Sequence, residues 1–121
     1  MQAEAICRAA VEALEEIKAQ DIVVMDVRNM SSLFDYMIVA SAESTRQTRA
    51  LVGNLQEKVK AQGGKIIGVE GETAGEWVLV DLGDVVVHVM QPAIRSYYNL
   101  EQLWGGEATR TKSVQHAHGG Q

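Results

Sequence analysis

The feature that most constrains the fold is a pair of valine-rich apolar runs, WVLVD and DVVVHVM, within residues 76–90. β-Branched residues favour strands, and only Leu82-Gly83 separates the two runs. A two-residue connection that contains glycine is a hairpin signal. The segment therefore predicts two antiparallel strands joined by a tight turn.

The register of this hairpin decides which side chains share a surface. If Leu82-Gly83 is the whole connection, Trp77 lies opposite His88. Because side chains alternate between the two faces of a sheet, one face collects valines and resembles a core. The other face collects Trp77, Leu79, Asp81, Asp84, Val86 and His88. A shift of one residue in the register would scatter this set.

The second face combines a large aromatic ring, a titratable ring and two carboxylates, and aromatic groups ringed by polar ones are typical of protein interfaces. Other interpretations stay open. Trp77 could pack in the core under a helix, and His88 could be a structural histidine with satisfied hydrogen bonds. Asp81 and Asp84 could flank the turn, where aspartate is common because it makes local hydrogen bonds.

Helical and strand periodicities predict the elements around the hairpin. Apolar side chains in residues 2–19 recur at the spacing of one helical face. Ser44 followed by Gln47 is a capping-box pattern for a second helix, and Gly63-Gly64 provides its end. We also predict strands at residues 21–27, 35–41 and 65–69, a loop at 68–75, and short helices within 92–104.

These elements predict an α+β (mixed α/β) fold with a single sheet and helices mainly on one side. Residues 1–104 are expected to form one domain, as suits a chain of 121 residues. Residues 105–121 are rich in Gly, Thr, His and Gln and nearly without large apolar side chains. This composition predicts a disordered C-terminal tail.

The charge distribution favours a basic protein, rather than nucleic acid, as the partner. The net charge is −5, and no Lys or Arg lies between Lys65 and Arg95. Since affinity for nucleic acid comes largely from cations that meet phosphates, this stretch should repel a phosphate backbone. It would complement a basic surface, although an ordinary solvated acidic surface explains the pattern as well. Its carboxylates belong to Glu70, Glu72, Glu76, Asp81 and Asp84.

Several classes of function lack the residues that they need. No apolar run approaches the ~20 residues of a membrane span. The first 18 residues contain four glutamates and no apolar block, so we expect no secretory signal, and the single Cys7 suits a reducing cytoplasm. The sequence contains no Walker loop and no G-x-S-x-G elbow. We expect no metal, no cofactor and no catalytic residue.

Four stretches of the chain are distinctive: AQDIVVMDVR, DYMIVASA with the following STRQTRAL, VEGETAGEWVLVDLGDVVVHVM, and RSYYNLEQLW. Together they resemble the ribosomal silencing factor family, also called the Iojap/YbeB-type proteins. The resemblance covers roughly residues 3–104, and its most specific part is residues 69–90.

This resemblance implies a function. Members of the family bind the large ribosomal subunit at its fourteenth ribosomal protein, on the surface that otherwise faces the small subunit. Occupying this surface blocks subunit association and represses translation. Organelle relatives also act in assembly of the large subunit, members commonly form homodimers, and the fold is related to the nucleotidyltransferase core. For this chain, rRNA would be at most a secondary neighbour, and no membrane would be involved.

The resemblance also implies a binding site. The partner-binding region of the family matches Trp77, Asp81, Leu82, Gly83, Asp84 and His88, with Tyr97 and Tyr98 as neighbours. Two alternatives to silencing stay open, namely a large-subunit assembly factor and a degenerate nucleotidyltransferase-like enzyme.

The enzyme alternative depends on the passage from a strand into a helix at Ser41, Ser44, Thr45 and Arg46. Hydroxyls and an arginine at a helix N-terminus can hold a phosphate. Metal-assisted transfer, however, needs carboxylates that converge on Mg²⁺, and neither hairpin strand contains an Asp-x-Asp alternation. The simpler role of Ser44 is a helix cap. We therefore expect a binding protein and not an enzyme.

Overall fold

A computed structural model of the protein describes residues 1–104 and 108–110. Within these residues the chain forms four helices and one six-stranded sheet. In chain order the elements are α1 (Ala3–Glu16), β1 (Gln20–Asp26), β2 (Tyr36–Ser41), α2 (Thr45–Ala61), β3 (Gly68–Glu70), β4 (Trp77–Asp81), β5 (Val85–Met90), α3 (Pro92–Tyr98), α4 (Leu100–Trp104) and β6 (Ala108–Arg110).

The sheet is mixed and is covered on both faces. Its strand order is β3-β4-β5-β2-β1-β6, with β2 and β5 parallel and the other neighbours antiparallel. The long helices α1 and α2 pack on one face against side chains such as Val78 and Val87. The short helices α3 and α4 pack on the other face through Ile94, Leu100 and Trp104. The predicted α+β fold with helices mainly on one side is confirmed.

The second helix begins and ends where its local sequence predicts. Ser44 Oγ accepts the backbone N–H of Gln47 at 3.0 Å, and the Gln47 side-chain oxygen accepts the backbone N–H of Glu43 at 2.7 Å. Both bonds satisfy donors near the helix start that the helix itself leaves unpaired. After the helix, Gly63 has a φ of +92°, a left-handed conformation that glycine adopts without strain.

Two boundaries differ from the sequence-based expectation. The strand expected at residues 65–69 begins only at Gly68, because its pairing partner β4 ends at Asp81, which lies opposite Gly68. β6 lies inside the segment expected to be a disordered tail, and the disorder of that segment stays a prediction. Backbone pairing with the edge of β1 requires no large apolar side chain. The rest of the segment lies outside the described residues.

In the part of the chain that the structure describes, no helix has both the length and the apolar character needed to cross a bilayer.

Candidate partner-binding site

The hairpin of β4 and β5 has a different register from the predicted one. The Leu82 N–H donates to the Val85 carbonyl at 2.9 Å, so the connection is Gly83-Asp84 and not Leu82-Gly83. Asp81 Oδ1 accepts the Gly83 N–H at 2.9 Å, and Gly83 has a φ of +93°, as tight hairpin turns require. Consequently Trp77 pairs with Met90, and the predicted Trp77–His88 pair is wrong.

The predicted division of side chains between the two faces nevertheless holds. Each cross-strand pair moves by two residues, and an even shift leaves every side chain on its face. His88 now lies opposite Leu79, diagonal to Trp77. The Trp77 indole crosses this diagonal, and its Nε1–H donates to His88 Nδ1 at 2.9 Å. The two residues therefore form one unit on the sheet face away from α1 and α2.

This hydrogen bond fixes the chemical state of His88. An indole nitrogen only donates, so His88 Nδ1 must be the acceptor and the ring proton must lie on Nε2. Burial of the ring lowers the pKa of His88 from its ordinary 6.5 to about 4, because burial disfavours the charged form. His88 is thus a neutral imidazole at physiological pH, with its Nδ1 occupied by the Trp77 N–H.

Tyrosines of α3 extend the aromatic group outward. The Trp77 and Tyr98 ring centroids lie 4.7 Å apart, and Tyr97 meets Tyr98 edge-on at 5.0 Å. Tyr98 is 47% exposed and Tyr97 is 81% exposed. Trp77 and His88 also line a shallow pocket of about 260 Å³ with Leu79, Glu70 and Gly71. We call Trp77, Leu79, His88, Tyr97 and Tyr98 the aromatic surface.

Arg95 holds α3 in the position that brings Tyr98 onto Trp77. Arg95 is 6% exposed, and its guanidinium donates to the Asp21 carbonyl at 2.7 Å and to Ser41 Oγ at 2.8 Å. It also pairs with both carboxylate oxygens of Glu101, the closer at 2.9 Å. These bonds connect β1, β2, α3 and α4. The sequence interpretation gave Arg95 no role, since its partners lie far away along the chain.

The other predicted site residues lie towards the turn. Asp81 is about 13 Å from Trp77 along β4, at ~3.3 Å per residue. Its carboxylate bonds to the Gly83 N–H, and the Asp84 carboxylate is exposed. Leu82 is only 4% exposed and packs in the core under α1 and α2. The Leu82 side chain therefore points away from the aromatic surface, and its role in partner binding stays a prediction.

Three residues that were not predicted as site residues line the pocket beside Trp77 and His88. Leu79 lies opposite His88, and Glu70 lies opposite Leu79 on β3. Gly71 follows Glu70 with a φ of +93°, and a Cβ there would lie 2.2 Å from the Trp77 carbonyl oxygen. The alternation of β4 already placed Leu79 on the face of Trp77. The positions of Glu70 and Gly71 depended on the pairing of β3 with β4.

The hydroxyls considered for phosphate binding are engaged inside the protein. Ser44 caps α2, Ser41 Oγ accepts from Arg95, and Thr45 Oγ1 accepts from Gln91 Nε2 at 3.2 Å. Among the described residues, no three His, Cys, Asp or Glu side chains lie close enough together to hold a metal. Cys7 is buried, and burial raises the pKa of its thiol to about 12. The three hydroxyls are thus engaged in hydrogen bonds within the fold.

The arrangement is suited to docking. An exposed aromatic group backed by a rigid hydrogen-bonded pair offers a large contact area at low entropic cost. Glu70 lies in the same pocket, and Glu72 and Glu76 are exposed in the adjoining loop. With these carboxylates exposed and Arg95, the nearest cation in sequence, buried, the surface complements a basic partner.

Known proteins resemble the chain over most of its length. The family described as "Ribosomal silencing factor during starvation" matches residues 1–120. A Chromobacterium violaceum protein named ribosomal silencing factor RsfS is 53% identical over 107 residues, which are 88% of this chain and 88% of that protein. A crystal structure of a protein from the same organism has a TM-score of 0.85 at 53% identity and covers 88% of this chain and 89% of that one. The mouse protein named mitochondrial assembly of ribosomal large subunit protein 1 is 35% identical over 97 residues, which are 78% of this chain and 42% of that protein.

Proposed function

This chain belongs to the ribosomal silencing factor family, and we propose that it binds the large ribosomal subunit and prevents the small subunit from joining. Its direct partner would be the fourteenth ribosomal protein of the large subunit. Translation would be repressed sterically, with no chemical step. The observation that carries the proposal is the aromatic surface, with Tyr98 packed against Trp77 and Glu70 at its edge.

The physical features of this surface support a protein partner. Tyr and Trp are enriched among the residues that dominate binding energy at interfaces. The Trp77–His88 hydrogen bond and the Arg95 contacts hold the rings in place before binding, which reduces the entropy lost on association. The exposed carboxylates suit a basic ribosomal protein and would disfavour random contact with rRNA phosphates.

Co-sedimentation with purified large subunits tests the binding step. The wild-type protein should travel with the large subunit, and Tyr98→Ala should weaken binding by roughly 10- to 100-fold, which corresponds to a loss of about 1.4–2.7 kcal/mol. Leu33→Ala is the control, because Leu33 is also a large exposed side chain but lies in the β1–β2 loop. Equal weakening by both variants, or no binding by a folded wild-type protein, would contradict the proposal.

A subunit-association assay tests the silencing step. Large subunits that have been incubated with the protein should form fewer complete ribosomes when small subunits are added, as measured by sucrose gradients. The Tyr98→Ala protein should restore association at the same concentration. If the protein binds large subunits and association is unaffected, binding is right and silencing is wrong.

A second candidate function is a role in assembly of the large subunit. The name of the mouse relative favours it, since that protein is named for mitochondrial large-subunit assembly. Both roles can use one docking surface, so polysome profiles of a deletion strain are needed to separate them. Accumulated precursor particles would indicate assembly, whereas excess translation during starvation would indicate silencing.

The proposal also includes a cytoplasmic homodimer, as the family resemblance implies. Light scattering coupled to gel filtration should give twice the chain mass of 13.2 kDa. A value near the chain mass at micromolar concentration would remove the dimer from the proposal and leave the docking surface unaffected.

A further inference from the structure

The cations of this chain are concentrated on one helix and the loop that follows it. Five of the 11 Lys and Arg residues lie within residues 46–65, and that interval contains a single carboxylate, Glu57. The aromatic surface has the opposite character, with no Lys or Arg between Lys65 and Arg95. The chain therefore has two regions of opposite charge that follow each other in sequence.

The contacts of α2 show which of its flanks is free. Leu51 and Leu55 are on the face buried against the sheet. The flank towards α1 is also occupied, because Asn54 donates to the Ala13 carbonyl and Lys58 pairs with Glu16. The remaining flank has residues at helical spacing i, i+3, i+7, i+10 and i+14, and it extends about 21 Å at ~1.5 Å per residue. We call it the basic flank: Arg46, Arg49, Gly53, Gln56 and Lys60.

The positive charges of the basic flank are not neutralised within the described part of the chain. Arg46 and Lys60 are exposed and form no ion pair there. Arg49 donates to the neutral Thr73 carbonyl at 3.0 Å and keeps its charge. Lys58 on the opposite flank differs, since it contacts both Glu12 and Glu16. The basic flank thus presents three uncompensated cations in one row.

Gly53 lies in the middle of this row and supports a binding role independently of charge. Glycine inside a helix destabilises it by roughly 1 kcal/mol relative to alanine. Packing within the described structure does not require glycine here, because a Cβ at this position would meet no atom within 4 Å. The missing side chain leaves the helix backbone open to close approach from outside.

We propose that the basic flank binds the phosphate backbone of large-subunit RNA beside the protein docking site. Lys and Arg supply most of the affinity for phosphates, and a row of cations follows a strand without reading its sequence. The flank lies on the other side of the sheet from the aromatic surface but at the same end of the hairpin strands, since Arg49 contacts the loop before β4 and Thr45 bonds to Gln91 just after β5. This inference rests on the proposed function and adds an RNA contact around that end of the sheet.

Two charge variants with the same net charge test the proposal. Arg46→Gln with Lys60→Gln removes two cations from the basic flank, and Arg8→Gln with Lys18→Gln removes two exposed cations from outside it. Binding to large subunits is measured between 50 and 200 mM salt. The flank variant should reduce the magnitude of the slope of log affinity against log salt by about 1.5. Each lost phosphate contact accounts for ~0.7–0.9 of this slope, and the variant removes two cations. The control should keep the wild-type slope.

A second variant separates the contact from charge and from folding. Gly53→Gln should raise the melting temperature by a few degrees, because glutamine favours helix more than glycine does. The same change should weaken large-subunit binding about tenfold or more by blocking close approach. Unchanged binding by this variant, together with an unchanged salt slope in the flank variant, would overturn the proposal.

Crosslinking identifies the chemical class of the partner. A photoreactive phenylalanine analogue replaces Gln56, and the large subunit is irradiated in complex with the protein. Crosslinks to RNA are expected, and crosslinks exclusively to protein would overturn the RNA assignment. The variants distinguish failure of the RNA proposal from failure of the docking proposal. If Tyr98→Ala abolishes binding and the flank variant has no effect, the docking proposal stands and this inference falls.

Discussion

Acid should destabilise this protein through a single buried imidazole. His88 accepts a hydrogen bond from Trp77 through Nδ1, and its pKa in the folded protein is about 4. In the unfolded chain the same ring has its ordinary pKa of 6.5. Protonation of Nδ1 would place a second N–H donor opposite the Trp77 N–H and would place a charge in a buried site.

The sign and size of the effect follow from proton linkage. Above about pH 6.5 both states of His88 are neutral, so its contribution to stability is complete. As pH falls from 6.5 to 4 the unfolded chain binds a proton that the folded protein does not bind, and stability is lost. At 1.36 kcal/mol per pKa unit, the loss between these limits is about 3 kcal/mol. Below pH 4 the contribution levels off.

His88→Gln is the variant that isolates this contribution. Glutamine does not titrate, and its side-chain oxygen can still accept the Trp77 N–H. Free energies of unfolding are measured by urea denaturation of both proteins at several pH values from 7 to 4. Carboxylates and the other histidines are common to both proteins, so they cancel in the difference. The stability advantage of the wild-type protein over the variant should shrink by about 3 kcal/mol across this range.

The difference curve can refute the reasoning. If the two proteins lose stability in parallel, His88 protonates in the folded state as readily as in the unfolded chain. An NMR titration of the folded protein gives a direct check, since the imidazole signals of His88 should stay in the neutral form down to pH 5. A folded-state midpoint near 6.5 would mean that the ring is neither desolvated nor held by Trp77.

Three further predictions concern single positions. Arg95→Met should lower the free energy of unfolding by about 3 kcal/mol in urea titrations, because it leaves Glu101 without the charge that it pairs with at 2.9 Å. Gly71→Ala should cost about 1–3 kcal/mol and alter Trp77 fluorescence, since the φ of +93° and the Trp77 carbonyl leave no room for a Cβ. Alkylation of Cys7 at pH 8 should be at least ~100-fold slower in the folded protein than in urea, because the thiol is buried and its pKa is raised to about 12.

Each of these has a contrary outcome. Wild-type stability in Arg95→Met would mean that the Arg95 contacts do not hold α3 and α4 in solution. An unperturbed Gly71→Ala protein would show that the β3–β4 loop adapts freely. Rapid alkylation of folded Cys7 would show that α1 opens locally.

The hairpin shows which structural features can be predicted from the sequence and which cannot. Alternation along β4 and β5 placed Trp77, Leu79 and His88 on one face, and this division survived an error in the register. The predicted register was wrong because Leu82, which precedes Gly83, was assigned to the turn. In the folded protein Leu82 is buried under the helices, and its backbone pairs with Val85, which moves the turn onward by one residue.

The candidate site was only partly predictable for a similar reason. Tyr98 was expected near Trp77 from the family resemblance, but nothing local indicated that their rings touch. The contact depends on Arg95, whose partners Asp21 and Ser41 are 74 and 54 positions away. The basic flank was also missed, because helical spacing alone did not reveal which side of α2 is covered by α1.

By itself, the sequence determined the type of most elements, the cap of α2, and the faces of the hairpin strands. These features depend on interactions within a few residues, where propensity, capping and alternation act directly. Only the tertiary structure decided the hairpin register, the return of α3 across the sheet, and the neutral state of His88. Each of these depends on which distant groups exclude water or complete a hydrogen bond, and such contacts exist only once the sheet and helices have packed.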